Sequence, residues 1–138
     1  VGHYKKKHII TGTILGIIET GIMLFVFNLL MNDPALFAVF GVETVSVYGG
    51  LIFFGMLYSP VSLLTSIFTT ALSRKNEFEA DAYSLEHTQN KDALISMLKG
   101  LAANNLSHLT PHPLMVFLSY SHPPVMDRIA AVTIIDEQ

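Results

Sequence analysis

The side chains best suited to chemistry lie in an acidic stretch in the middle of the chain, residues 73–83. Glu77 and Asp81 are four residues apart, so a helix places both carboxylates on one face. Such carboxylates can bind a cation or orient the imidazole of a metal-bound histidine. The alternative is a solvated acidic face, supported by Arg74 one turn earlier. Glu79 lies about 200° around the helix from Glu77, and we do not expect it to share the same role.

The first residues of the chain offer a second candidate. Val1-Gly2-His3 has the form of the closing half of the zinc motif H-E-x-x-H, in which two histidines bind the metal and the Glu acts as general base. If the motif begins before Val1, His3 and Glu77 are the candidate metal ligands. The chain has no cysteine, so His and carboxylates must supply all the ligands. The alternative is that His3 is solvated, and His8, about 140° further around the helix, is not expected to share its ion.

A third candidate lies near the end of the chain, where His122 precedes two prolines and Arg128 follows on the next helix. A histidine and an arginine in this arrangement could stabilise the oxyanion that develops during peptide hydrolysis. The alternative is an exposed turn, which we favour for His112. His108 and His112 are four apart, but Pro111 disrupts a helical pair, which argues against a histidine-based metal transporter or sensor.

The composition indicates a membrane protein. Hydrophobic residues make up 51% of the chain and charged residues only 14%, which is well below the usual share in a soluble domain. The net charge of −3 argues against a nucleic-acid partner. An acidic residue inside the first apolar segment, Glu19, could mark a polar chamber or a helix contact.

Two apolar segments have the length of membrane spans. The first covers residues 9–31, and Asn32, Asp33 and Pro34 end it. The second covers residues 45–72. Because Ser59 and Pro60 resemble a helix start, we expect either a fresh helix or a kinked one near Pro60. We therefore divide the chain into a membrane hairpin at 1–72 and a helical C-terminal region at 73–138, with a loop between the spans.

The basic residues indicate the topology. Lys5 to Lys7 precede the first span and Arg74 to Lys75 follow the second, whereas the loop at 32–44 has no Lys or Arg. The positive-inside rule places both basic groups on the cytoplasmic side. Two spans return the chain to its starting face, so His3 and Glu77 can meet there. Beyond Tyr83 we expect helices at 92–101 and 125–135, a loop at 104–113, and an apolar run of undecided type at 114–118. The helix at 92–101 would carry Leu94, Met97, Leu98 and Leu101 on one apolar face.

Four segments in this order resemble the C-terminal part of the CAAX prenyl proteases, which are integral-membrane zinc metalloendopeptidases that remove the terminal tripeptide of prenylated proteins. The segments are GHYKKKH at 2–8, SRKNEFEADAY at 73–83, NLSHLTPHPL at 105–114 and SHPPVMDRI at 121–129. The resemblance implies an all-α, multi-span, gluzincin-like membrane metallopeptidase with a cytoplasm-facing site and a Zn²⁺ cofactor. It also implies that His3 and Glu77 bind the metal, that Asp81 supports a ligand, and that His122 and Arg128 contact substrate.

The resemblance also implies parts that this sequence does not contain. The first His of the motif, its catalytic Glu and the N-terminal transmembrane helices would lie upstream of Val1. We therefore expect this segment alone to be inactive and to bind zinc poorly. The implied partners are the lipid bilayer, those upstream helices, and a peptide or lipidated protein substrate. Two alternatives remain: a non-enzymatic membrane anchor or subunit, and a heat-shock-type membrane quality-control protease, against which the segment at 105–114 favours the CAAX branch.

Overall fold

The computed structural model describes residues 7–31 and 33–136, and every regular element within those ranges is an α-helix. The all-α fold class predicted from the sequence is confirmed. Two helices are long, and the others have between six and 14 residues. In chain order the helices are α1 (His8–Met31), α2 (Pro34–Val39), α3 (Val47–Thr88), α4 (Lys91–Asn104), α5 (Pro113–Ser119) and α6 (Val125–Asp136).

Helices α1 and α3 are both long and apolar enough to cross a membrane. No residue of α1 is buried, although the helix is almost continuously apolar. The exposed fractions of Ile9, Ile14 and Ile22 are 63%, 52% and 40%, and these residues lie on different sides of the helix. A helix that is apolar on all sides needs apolar surroundings, such as lipid or other membrane helices. Helix α1 matches the first span predicted from the sequence, and α3 covers the second from Val47 onward and continues beyond its predicted end at Leu72.

Pro60 lies inside α3, which runs without a break from Val47 to Thr88. The alternative of a fresh helix at Ser59 is therefore wrong, whereas the kink expected near Pro60 stays a prediction. A proline inside a helix removes one backbone hydrogen bond. Membrane helices tolerate this loss because neighbouring groups can satisfy the freed carbonyl. The same helix that provides the second apolar span thus continues to Glu77 and Asp81.

The connection between α1 and α3 contains a helix that the sequence analysis missed. Asp33 is the N-cap of α2, and its side chain accepts a hydrogen bond from the Ala35 N–H at 2.9 Å. Pro34 occupies the first helical turn, where a missing N–H costs nothing. Phe37 is buried, and its ring lies edge-on to that of Phe53 at 5.0 Å. The sequence analysis assigns Asp33 and Pro34 only to the end of α1, whereas they also begin a helix.

The described residues fall into two compact units, one from Gly12 to Thr65 and the other formed by the residues up to Thr11 together with those from Ser66 onward. The second unit contains the candidate site. Its core includes Leu85 of α3, Leu94 of α4 and Val132 of α6. These contacts hold three helices together beyond the apolar spans. The domain boundary that we place after Leu72 stays a prediction.

The buried face of α4 is narrower than its sequence suggests. Leu94, Leu98 and Ala102 are buried, which is the face expected for residues four apart. Met97 and Leu101, predicted on the same apolar face, are 55% and 46% exposed. The helix therefore packs through one row of residues, and Leu101 remains accessible on the side facing the candidate site.

Truncating Leu98 should destabilise the protein. Leu98 is fully buried, so Leu98→Ala removes packed methyl groups and leaves a cavity. We expect a loss of about 2–5 kcal/mol in the free energy of unfolding, measured by denaturant titration of the full-length protein in detergent. Met97→Ala is the matched control. Met97 precedes Leu98 directly but its side chain is 55% exposed, so its truncation should change the free energy of unfolding little. Equal losses for the two variants would contradict this packing.

Candidate functional site

The centre of the site is a buried ion pair between α3 and α6. The Arg128 guanidinium donates from Nε to Oδ2 and from Nη2 to Oδ1 of Asp81, both at 2.7 Å. Asp81 and Arg128 are 5% and 7% exposed, so water hardly screens the pair. Paired N–H donors that match the two oxygens of a carboxylate form the strongest kind of ionic hydrogen bond. The pair fixes the first turn of α6 against α3.

Glu77 lies one helical turn before Asp81 and shares the same arginine. Its Oε2 is 2.9 Å from Arg128 Nη1, and its Oε1 is 3.2 Å from Nδ1 of His122. The Glu77 side chain is 13% exposed, whereas the His122 ring is 68% exposed. The structure therefore brings together four of the residues singled out from the sequence, with a buried arginine behind Glu77 and an accessible imidazole in front of it.

Burial and neighbouring charge shift the pKa of Arg128 in opposite directions. Removal from water lowers the pKa of the guanidinium, but the hydrogen bonds and charge of Asp81, with the charge of Glu77, outweigh that effect and raise its pKa above the ordinary value. Arg128 therefore stays cationic at any pH at which the protein is folded. It supplies a permanent positive charge beside the Glu77 carboxylate.

Prolines and a capping histidine shape the segment that carries His122. His112 is the N-cap of α5, and its Nδ1 accepts a hydrogen bond from the Leu114 N–H at 3.2 Å. The apolar run left undecided from the sequence is this helix. After α5 the backbone N–H of Arg128 donates to the Pro124 carbonyl, which begins α6. His112 thus has a structural contact at a turn, as favoured from the sequence.

Glu77, His122 and Arg128 line one cavity of about 560 Å³. Its volume lies within the range typical of small-molecule sites. Leu101, Pro123, Pro124 and Val125 supply apolar walls, and Asn105, Ser107, His108 and Tyr120 supply polar groups. The arrangement could accept a peptide whose carbonyl approaches Glu77, His122 and Arg128.

Glu79 and His8 form a separate contact that the sequence analysis did not foresee. His8 Nε2 lies 3.2 Å from Glu79 Oε2, and Lys75 Nζ lies 3.7 Å from Glu79 Oε1. Glu79 is not among the residues that line the cavity around Glu77. The helical spacing predicts this separation of Glu79 from Glu77, but a pairing across 71 residues leaves no local sequence signal.

The residues present match a zinc site in chemical type. Carboxylate oxygen and imidazole nitrogen are usual zinc ligands, and Glu77 presents such a carboxylate at the wall of the cavity. Within residues 7–31 and 33–136, no three His, Cys, Asp or Glu side chains are grouped closely enough to hold a metal alone. His3, the other predicted ligand, lies outside the described residues. The assignments of His3 and Glu77 as ligands stay predictions.

Comparison with known proteins defines the class that this fold and site belong to. The model of Peptidase family M48 matches residues 1–135, and the chain belongs to this family. The human CAAX prenyl protease 1 homolog is 32% identical over 134 residues, which cover 96% of this chain and 28% of that protein. An uncharacterized metalloprotease of Bacillus subtilis, YhfN, is 29% identical over 131 residues, covering 94% of this chain and 31% of that protein.

A solved structure shows the same fold. The crystal structure of S. mikatae Ste24p matches with a TM-score of 0.79 and 27% identity, over 95% of this chain and 34% of that one. The resemblance to CAAX prenyl proteases drawn from four short motifs is confirmed. This chain spans about 28% of the length of the human relative.

Proposed function

We propose that this chain provides the metal-binding glutamate and the substrate-facing residues of a zinc-dependent membrane endopeptidase that cleaves near the C-terminus of prenylated or other membrane-associated proteins. The observation that carries the proposal is the position of Glu77. Its carboxylate reaches the cavity of about 560 Å³ and is held by Arg128 behind it and His122 beside it.

Glu77 would hold the zinc ion together with His3. A bound zinc ion would supply Lewis-acid activation of the scissile carbonyl and of a water molecule. A third protein ligand and a general base are also required, and the zinc-motif resemblance assigns them to residues before Val1. In this proposal Glu77 and His3 complete the site together with those further groups.

The surrounding residues prepare the site by fixing charge and direction. Asp81 accepts two hydrogen bonds from Arg128 and so orients its third nitrogen, Nη1, towards Glu77. Arg128 and His122 are the groups placed to stabilise negative charge that develops on a substrate carbonyl oxygen. His122 is the more accessible of the two, so it would meet the substrate first. Asp81 would act as the supporting acid through Arg128, in addition to the predicted contact with a ligating histidine.

The relatives and the charges support the proposed substrate class and the proposed side of the membrane. Matched relatives carry the name CAAX prenyl protease, and two helices of this chain have membrane length. Arg74 and Lys75 follow the apolar part of α3 directly. By the positive-inside rule we place this end of α3, and the site with it, on the cytoplasmic side of a multi-pass protein.

The proposal is tested with the full-length protein in liposomes and two peptides that differ only in a farnesyl group on a cysteine four residues from the C-terminus. We expect release of the last three residues from the prenylated peptide, detected by mass spectrometry, with loss of cleavage under a zinc chelator and recovery on adding zinc. Equal cleavage of both peptides would favour a general quality-control protease. Absence of chelator-sensitive cleavage of either peptide would contradict the proposal.

A further inference from the structure

Arg74 makes two contacts that neither the ion-pair network nor the membrane topology accounts for. Its Nη1 donates a hydrogen bond to the carbonyl oxygen of Val116 at 3.0 Å and another to that of Tyr120. The two acceptors lie 42 and 46 residues further along the chain. One cation on α3 thus contacts both the last turn of α5 and the residue that ends this helix.

Arg74 gives a charged donor to the Tyr120 carbonyl, which follows the last helical turn, and it is a second donor for the Val116 carbonyl, which also accepts from the Tyr120 N–H at 3.2 Å. The last carbonyls of a helix have no partner within the helix, and a cation near that end is favourable. Hydrogen bonds from a charged donor are also stronger than those between neutral groups. Arg74 therefore fixes the point at which the chain leaves α5 and turns towards His122.

We propose that Arg74 is a positioning residue that holds the segment after α5 against α3, so that the His122 imidazole meets the Glu77 carboxylate. Arg74 lies one helical turn before Glu77, and Tyr120 lies two residues before His122. Tyr120 also lines the cavity that Glu77 and His122 share. A displacement of Tyr120 would therefore move His122 relative to Glu77.

His122 depends on such an anchor because its own side chain is poorly packed. Its ring is 68% exposed, and its contact with Glu77 is a single interaction at 3.2 Å. The backbone on its N-terminal side is held by Arg74, and the backbone on its C-terminal side is held by the start of α6 at Pro124. Removing one of the two anchors should let the imidazole leave its position without unfolding the core formed by α3, α4 and α6.

The inference rests on the proposed peptidase function only for its effect on catalysis, and a structural measurement tests it separately. In the full-length protein, Arg74→Gln removes the charge and Arg74→Lys keeps a charge that can reach one carbonyl. Lys75→Gln is the matched control, because Lys75 is the next residue and contacts Glu79 instead. Hydrogen–deuterium exchange is followed for peptides covering residues 114–124, with residues 91–104 as an internal reference.

We expect Arg74→Gln to speed hydrogen–deuterium exchange in residues 114–124 at least about tenfold and to leave exchange in residues 91–104 unchanged. The exchange rate of Arg74→Lys in residues 114–124 should lie between those of Arg74→Gln and the wild type. The kcat of Arg74→Gln should fall about 10- to 100-fold, as is usual when a residue that orients a functional side chain is lost, while zinc content stays at the wild-type value. Leu98→Ala controls for general destabilisation, and it should lower kcat less at the same loss of stability. Lys75→Gln should resemble the wild type in every measurement.

The inference would be overturned if Arg74→Gln left the exchange rate in residues 114–124 unchanged. It would also be overturned if Arg74→Gln sped exchange there but kept the kcat of an active wild-type enzyme. If the wild type hydrolyses no peptide, the proposed function fails and the exchange measurement alone decides whether Arg74 holds this segment. Equal kcat losses for Arg74→Gln and a Leu98→Ala variant of matched stability would reduce Arg74 to a purely structural residue and also overturn it.

Discussion

Substituting Glu77 by glutamine in the full-length protein is expected to lower peptidase activity by more than about 100-fold, beyond the usual effect of changing a residue that only supports a metal ligand. The amide has the same shape as the carboxylate but no negative charge. Glu77 is 13% exposed and faces Arg128, so little water can reach the site to compensate for the lost negative charge. Activity is measured as cleavage of the prenylated peptide at saturating substrate.

The matched control is Glu79→Gln, which makes the same chemical change two residues away on the same helix. Glu79 contacts His8 and Lys75 and does not line the cavity, so its loss should leave activity within about threefold of the wild type, the scale of a weak surface ion pair. Similar losses in the two variants would show that the helix, and not the site, is disturbed. Full activity in Glu77→Gln would remove Glu77 from the mechanism.

The second large effect concerns Arg128. Arg128→Met keeps an unbranched apolar stem but removes the cation between two carboxylates, leaving Asp81 at 5% exposure without its bidentate partner. Breaking a buried ion pair from one side costs about 3–5 kcal/mol. We therefore expect a loss of that size in the free energy of unfolding, measured in detergent for the full-length protein.

A double substitution separates the ion pair from simple packing. When Asp81→Leu and Arg128→Met are combined, no carboxylate of this pair remains buried alone, and the total loss should be smaller than the sum of the two single losses. Contacting residues commonly show coupling of about 0.5–3 kcal/mol in such a cycle. Strictly additive losses would contradict a direct Asp81–Arg128 interaction. Glu77 loses its contact with Arg128 in the single and the double variant that carry Arg128→Met, so this loss cancels in the coupling energy of the cycle.

Local sequence patterns predicted the elements that show a regular helical period or an apolar run of membrane length. Glu77 and Asp81 share a face because they are four residues apart, and the two apolar runs gave the two long helices. The same reasoning failed at α2, where Asp33 and Pro34 serve as both the end of one helix and the start of the next. It also left Pro60 undecided, because the surroundings determine whether a proline ends a helix or lies within it.

Contacts between distant residues could not be predicted from periodicity. Arg128 reaches Asp81 across 47 residues, and Arg74 reaches Tyr120 across 46. The order of four motifs placed Glu77, Asp81, His122 and Arg128 in one site through the family resemblance. Arg74 was interpreted as a topological charge and as support for a solvated acidic face, although an arginine one turn before a candidate ligand is a signal that could have suggested a contact within the site.

The most direct test of the metal-site proposal is the zinc content of the purified full-length protein beside its Glu77→Ala and Glu79→Ala variants. We predict about one zinc per chain in the wild type and in Glu79→Ala, and loss of the metal in Glu77→Ala, because a catalytic site needs three protein ligands. Absence of zinc from the wild type, or zinc retained at the same stoichiometry in Glu77→Ala, would contradict the assignment of Glu77 as a metal ligand.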